Sequence, residues 1–231
     1  MTVAVIEQAV NRAVELRGTV MLAVRDEEHQ WCGVCAAVDG SLELRIGEPR
    51  GGWWRGERRR GEAWLRDHGF VHVIDAWAKP IRRDTSPRSC AQTLGIALRE
   101  GLAAPEDADL VEALVHPGVI GSADPPPPEA SHAEHIRCAV VALAQRGDGK
   151  LAIEGGRPAS TWAWVFAIGD ELILSPESAD DDEWSVPLAD ADVAGAADHL
   201  TDVLHNRLGR DQHATLFISF MALNPTDPPF L

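Results

Sequence analysis

Apolar residues between Ile6 and Arg17 recur every three to four positions (IEQAVNRAVELR), the spacing that places them along one side of an α-helix. The run stops at Gly18, a residue that closes helices readily because it takes the left-handed conformation. The same pattern recurs at His135–Arg146 (HIRCAVVALAQR), which stops at Gly147. Each helix is followed by short apolar runs: TVMLAV at 19–24, WCGVCAAV at 31–38 and SLELRIG at 41–47 in one half, KLAIE at 150–154, TWAWVFAI at 161–168 and ELILS at 171–175 in the other. The second and third run of each set are joined by "DG" at 39–40 and "GD" at 169–170, which are hairpin turns between apolar segments. A second helix is expected over Gly56–His68 and over Asp192–Leu208, then a strand at 70–77 (FVHVIDAW) and at 214–223 (ATLFISFMAL). The first half adds an expected helical segment over Ser89–Val115, broken at Pro105.

This order predicts an α+β protein of two tandem similar units, each a helix, a three-stranded antiparallel meander, a helix and a further strand. Between them lies GSADPPPPEAS, residues 121–131, whose four consecutive prolines exclude helix and central strand and make a semi-rigid linker. The expected boundaries are therefore 1–120 and 132–231. Two such units within one chain form an internal pseudo-dimer, leaving the protein a monomer, or a homodimer if it pairs again.

Strand alternation gives the 161–168 run two unlike faces. Trp162, Trp164, Phe166 and Ile168 share one, and Ala163, Val165 and Ala167 the other. A fully buried Trp is worth about 5 kcal/mol, so the large residues form either the core seam or a face for another domain or a client. Small residues opposite them suit close helix packing, and both readings remain open. Trp77, at the end of its strand, is expected at a seam between the units. Trp64, Leu65 and Phe70 are expected to anchor a helix and the strand after it.

Charge changes this picture in one respect. The formal net charge is −15, with −3 in residues 1–120 and −12 in residues 121–231. Such a field repels polyanions and disfavours nucleic-acid binding, while a basic partner is attracted. The basic cluster Arg50, Arg55, Arg58, Arg59 and Arg60 is interleaved with Glu57 and Glu62, so it reads as a solvated face and not as a phosphate footprint. Trp53 and Trp54 precede that helix. One suits a hydrophobic staple, and the other, flanked by Arg55 and Arg58, suits a protein–protein hot spot. Only two of the 21 basic residues are lysines, the bias of a GC-rich, actinobacterial type of genome. The first residues carry no basic region ahead of an apolar block, and no run approaches the ~20 apolar residues of a membrane span, so a cytoplasmic protein with no membrane partner is expected.

Candidate chemistry is sparse. Cys32 and Cys35 form a C-x-x-C pair, but within a strand they point to opposite faces and suit packed core thiols better than a redox or zinc site. His132, His135 and Cys138 follow one another at three-residue steps with no fourth ligand near. They read as helix-start histidines and a core cysteine, with a zinc site as the sharper alternative. His72 with Asp75, and Glu112 with His116, are the acid–base pairs that proximity in sequence offers, and no spacing favours either. SADDDEW at 178–184 lacks the ligand spacing of a calcium loop and reads as a solvated turn, a contact for a basic partner being the alternative. There is no phosphate loop, no nucleophile elbow and no tyrosine. No catalytic residue, metal or cofactor is assigned.

The duplicated helix–meander–helix order, with Trp64, Leu65, His68, Gly69 and Phe70 forming a Leu-x-x-x-Gly-aromatic step from helix to strand, resembles the type III secretion chaperone and YbjN-like peptide-binding (TY-Chap) superfamily. The resemblance covers most of the chain and implies a non-enzymatic module that holds a peptide or unfolded segment of a client, usually as a homodimer. The expected function is thus a chaperone or adaptor for a partner protein or precursor peptide, including one in peptide natural-product maturation. Its expected contacts are Trp53, Trp54, Arg55, Arg58, Trp77, Trp162 and Trp164. The rival expectation is a small zinc- or thiol-dependent enzyme of peptide modification.

Overall fold

A computed structural model describes residues 2–49, 55–73, 76–120, 125–156, 160–176, 184–187, 193–204 and 215–223. The protein is α+β, with five helices and two antiparallel sheets among these residues. It divides into two compact units: Met1–Glu15, Thr19–Ala36 and Ser41–Val115 form unit 1, and Leu16–Gly18, Ala37–Gly40 and His116–Leu231 form unit 2.

Unit 1 starts with α1 (Thr2–Leu16), whose Ile6, Val10 and Ala13 are fully buried, a spacing that matches the helical repeat. The meander follows as β1 (Thr19–Val24), β2 (Glu27–Ala36) and β3 (Leu42–Ile46). Next come α2 (Arg55–Asp67), β4 (Val71–Val73), β5 (Ala76–Ile81), α3 (Pro87–Ile96) and β6 (Leu110–His116). Sheet order is β4-β5-β3-β2-β1-β6. Val20, Leu22, Cys32, Val34, Leu44, Ile46 and Trp77 meet the helices in one core.

Unit 2 holds α4 (His132–Arg146), β7 (Gly149–Gly155), β8 (Ser160–Ile168), β9 (Glu171–Pro176), β10 (Trp184–Pro187), α5 (Val193–Asp202) and β11 (Leu216–Met221), in the sheet order β10-β9-β8-β7-β11. Ser131 and Glu134 close a capping box on α4, starting the helix at the two histidines. Ile136, Val140 and Leu143 of α4 and Ala196, Ala197 and Leu200 of α5 share a core with the inward residues of the sheet. Arg137 also pairs with Asp198 between the two helices.

Three local outcomes differ from expectation. The segment read as the end of a helix through Val115 is instead β6, which flanks β1, while α3 ends at Ile96 in a π-helical turn over Ala97–Gly101. The strand expected at 70–77 is two strands, β4 and β5, paired with each other. In consequence β6, not residues 70–77, holds in unit 1 the sheet position that β11 holds in unit 2, beside the first meander strand. The third concerns the helix stops. Gly147 takes the left-handed conformation (φ 81°) and caps α4 as expected. At α1 the left-handed residue is Arg17 (φ 46°). Gly18 is required for another reason, since a Cβ there would lie 2.1 Å from the His116 carbonyl oxygen.

The step after α2 is a Schellman closure. Gly69 has φ 81°, its N–H donates to Arg66 O (3.1 Å), and Phe70 N–H donates to Leu65 O (3.0 Å). Leu65 and Phe70 are buried, and Trp64 packs against the same core while stacking on His68 at 3.8 Å. A buried apolar residue after the glycine is a regular companion of such a helix end.

Candidate partner-binding face

The two faces of β8 have opposite fates. Ala163, Val165 and Ala167 are fully buried in the core of unit 2. Trp164 and Phe166 are only partly buried, and Ile168 is 48% exposed. The core-seam reading of Trp164, Phe166 and Ile168 is thereby corrected: three small residues let α4 approach, and these large ones are turned away from that core.

Register places their neighbours. Trp164 lies between Ala152 of β7 and Ser175 of β9, Phe166 between Lys150 and Ile173, and Ile168 opposite Glu171. The Trp164 and Phe166 rings are 6.4 Å apart at an inclination of 26°, and Lys150 Nζ stands 5.6 Å from the Trp164 ring, within cation–π range. Partly buried Ile173 extends the apolar stripe across to β9. At the Ile168 end of the stripe, Asp170 and Glu171 are exposed. Glu154 lies further along the same side of β7. The result is an apolar centre with one cation over it and carboxylates at the rim.

The other expected contacts are distributed differently. Trp162 falls at a bulge, where pairing with β7 passes from Ala163 to Thr161, so simple alternation does not carry to it, and its side chain lies outside the described residues. Trp53 and Trp54 also lie outside the described residues, as does the side chain of Arg55, the first residue of α2. Arg58 is on the exposed side of α2, where its Nε donates to Glu62 at 2.6 Å and its Nη2 lies 3.6 Å from Glu48. The hydrogen bond to Glu62, with the attraction of both carboxylates, raises its pKa further. Trp77 is 3% exposed, part of the unit 1 core, with the Arg66 guanidinium 5.7 Å from its ring. It is a packing residue and offers no open contact surface.

The candidates for chemistry also take definite places. Cys32 joins the unit 1 core, and Cys35, three residues on along β2, is buried without joining it. Burial pushes the Cys32 thiol up to about 12, so it stays protonated at neutral pH. His135 is 4% exposed, with its pKa lowered first by burial and then by Arg17. Burial raises the Cys138 thiol. Among the described residues no three His, Cys, Asp or Glu groups are placed to hold a metal ion. Glu112 is engaged by Arg12, at 2.7 and 2.9 Å, and His116 is held down to about 4 by burial first and Lys150 second. His72 bonds Glu48 at 2.8 Å, while Asp75 lies outside the described residues, as does the acidic run at 178–183.

Two features had no sequence signal. A cavity of about 20 Å³, space for about one water, lies beside His135, Cys138 and the Pro125–Pro126 segment, where Arg17 Nη1 donates to Pro126 O at 2.8 Å. In unit 1 a groove of about 400 Å³ runs between α1 and the end of α3, with Val3 and Ile96 on its rim. Both depend on which distant segments meet, which periodicity does not encode. Among the described residues no helix is long and apolar enough to cross a membrane. No family model, curated protein or solved structure matches the chain.

Proposed function

We propose that this protein binds a peptide segment of a partner protein on the outer face of the unit 2 sheet, as a chaperone or adaptor and without catalysing a reaction. The observation that carries the reading is the placement of Trp164, Phe166 and Ile168 outside a core that their small neighbours fill. Aromatic side chains held on a rigid sheet lose little further conformational freedom on binding and so make efficient contacts. The resemblance of the helix–meander order to that of peptide-binding chaperones, read from the sequence, supports the same reading. Thiol chemistry finds no support in Cys32 and Cys35, which are buried and face opposite ways along β2.

A photoreactive residue at position 168, compared with one at exposed Val14 of α1, tests the proposal. In the native host, one recurrent protein or peptide crosslinks from 168, does not crosslink from 14, and is lost when Trp164→Ser is added. Equal crosslinking from both positions, or none from 168, overturns it.

A further inference from the structure

The aromatic face is not electrically neutral, and its charges say what kind of segment it takes. The stripe Trp164–Phe166–Ile168 with Ile173 ends at exposed Asp170 and Glu171, and Glu154 stands on the same side of β7. The one cation among these residues, Lys150, is held over the Trp164 ring. Residues 121–231 carry a net −12, so the surrounding field reinforces the local sign. These charges discriminate among occupants. An anionic bilayer or a nucleic acid meets repulsion. A second copy of the same face would set Asp170 and Glu171 against like charges, which costs free energy at an interface. A segment with alternating apolar and basic residues meets apolar surface at the centre and carboxylates at the rim.

Resting on the peptide-binding reading, we infer that the occupant of this face is a cationic amphipathic segment, with apolar side chains over Trp164, Phe166 and Ile168 and Lys or Arg side chains at Asp170 and Glu171. Apolar burial supplies most of the affinity, and the rim charges supply selectivity and association rate. Rim pairs remain open to solvent and are screened by salt.

The test uses labelled peptides of about ten residues with Leu at alternate positions and Lys, Ser or Glu between them, followed by fluorescence anisotropy on the full chain. The Lys peptide binds about tenfold more tightly than the Ser peptide at low salt, and most of that margin disappears at several hundred millimolar salt. The Glu peptide binds more weakly than either. Asp170→Asn with Glu171→Gln removes the margin and leaves Ser-peptide binding in place. Trp164→Ser with Phe166→Ser removes binding of all three. Should that variant fail to fold by circular dichroism, Ile168→Glu probes the exposed end of the same stripe and weakens the Ser peptide.

Equal binding of the Lys and Ser peptides overturns the cationic assignment and leaves the peptide-binding reading standing. A Lys margin that survives Asp170→Asn/Glu171→Gln reports the bulk charge of the protein and also overturns the assignment. Failure of every peptide to bind, or binding that survives loss of Trp164 and Phe166, overturns both. Concentration-dependent self-association lost on Trp164→Ser makes the occupant a second copy and overturns the cationic segment.

Discussion

Strands β2 and β8 hold the same place in their sheets, the middle of a three-stranded meander, yet they distribute their side chains differently. From Cys32 to Ala36 every residue of β2 is buried, so both faces of that strand are covered. Among the described side chains of β8 only the small face is buried, while Trp164 and Phe166 are partly exposed and Ile168 is exposed. Packing alone predicts the reverse, because burying a large side chain releases more free energy than burying alanine. In unit 2 the small face lets α4 approach the sheet closely, with α5 packed on α4, and Trp164, Phe166 and Ile168 take no part in that core. A partly exposed apolar stripe rimmed by charge is what the proposed peptide-binding face requires.

The contrast is broken most sharply by placing one charge at two adjacent residues. Val165→Asp puts an unpaired carboxylate into the unit 2 core and costs upward of about 4 kcal/mol, enough to unfold the unit. Phe166→Asp, one residue on, changes stability by about 1 kcal/mol or less in urea denaturation followed by circular dichroism. Equal losses at the two positions would sink the two-faced account of β8.

The two helix stops give the next contrast. Gly18→Ala drives a methyl against backbone oxygen and costs about 2–4 kcal/mol, whereas Gly147→Ala meets open space at φ 81° and costs about 1 kcal/mol. Melting temperatures of the two variants check this order.

A smaller contrast appears when pH is moved in both directions. Cys32, in unit 1, has its pKa raised from 9.0 to about 12, so the folded state keeps a proton that the unfolded chain releases. Stability is therefore complete below about pH 9 and falls by up to ~1.4 kcal/mol per pH unit above it. Partly buried His116, in unit 2, has its pKa lowered from 6.5 to about 4, so the unfolded chain takes up a proton that the folded state refuses. That contribution is complete above pH 6.5 and is lost as pH falls toward 4. Cys32→Ala flattens the alkaline limb of the stability curve and His116→Gln the acid limb. A variant that flattens the opposite limb would disprove the assignment.

Much of the fold was legible in the periodicities. The buried positions Ile6, Val10 and Ala13, the β1 run at 19–24 and the alternation in β8 follow from repeats of 3.6 and 2 residues that one chain segment carries by itself. Gly69 and Phe70 announced a helix end whose bonds turned out as the residue types require. Less legible was Leu110–His116, whose short apolar sequence suits helix or strand and whose state was settled by the open edge of β1. The candidate site was half legible. Alternation defined the two faces of 161–168, but no local signal says which one the helices cover.

By itself the sequence determined the element types of most segments, the pairing of small against large residues along β8, and an acidic field strongest after residue 120. Those properties reside in neighbouring residues or in summed charge, and need no knowledge of distant contacts. The tertiary structure alone decided that Trp77 is core and Trp164 lies partly exposed outside the core, and that Gly18 is needed for close approach. It also decided that β6 closes the sheet and that Asp170 and Glu171 rim the aromatic stripe. Each of these depends on which remote segments fill the space beside a residue, and burial is a property of that space.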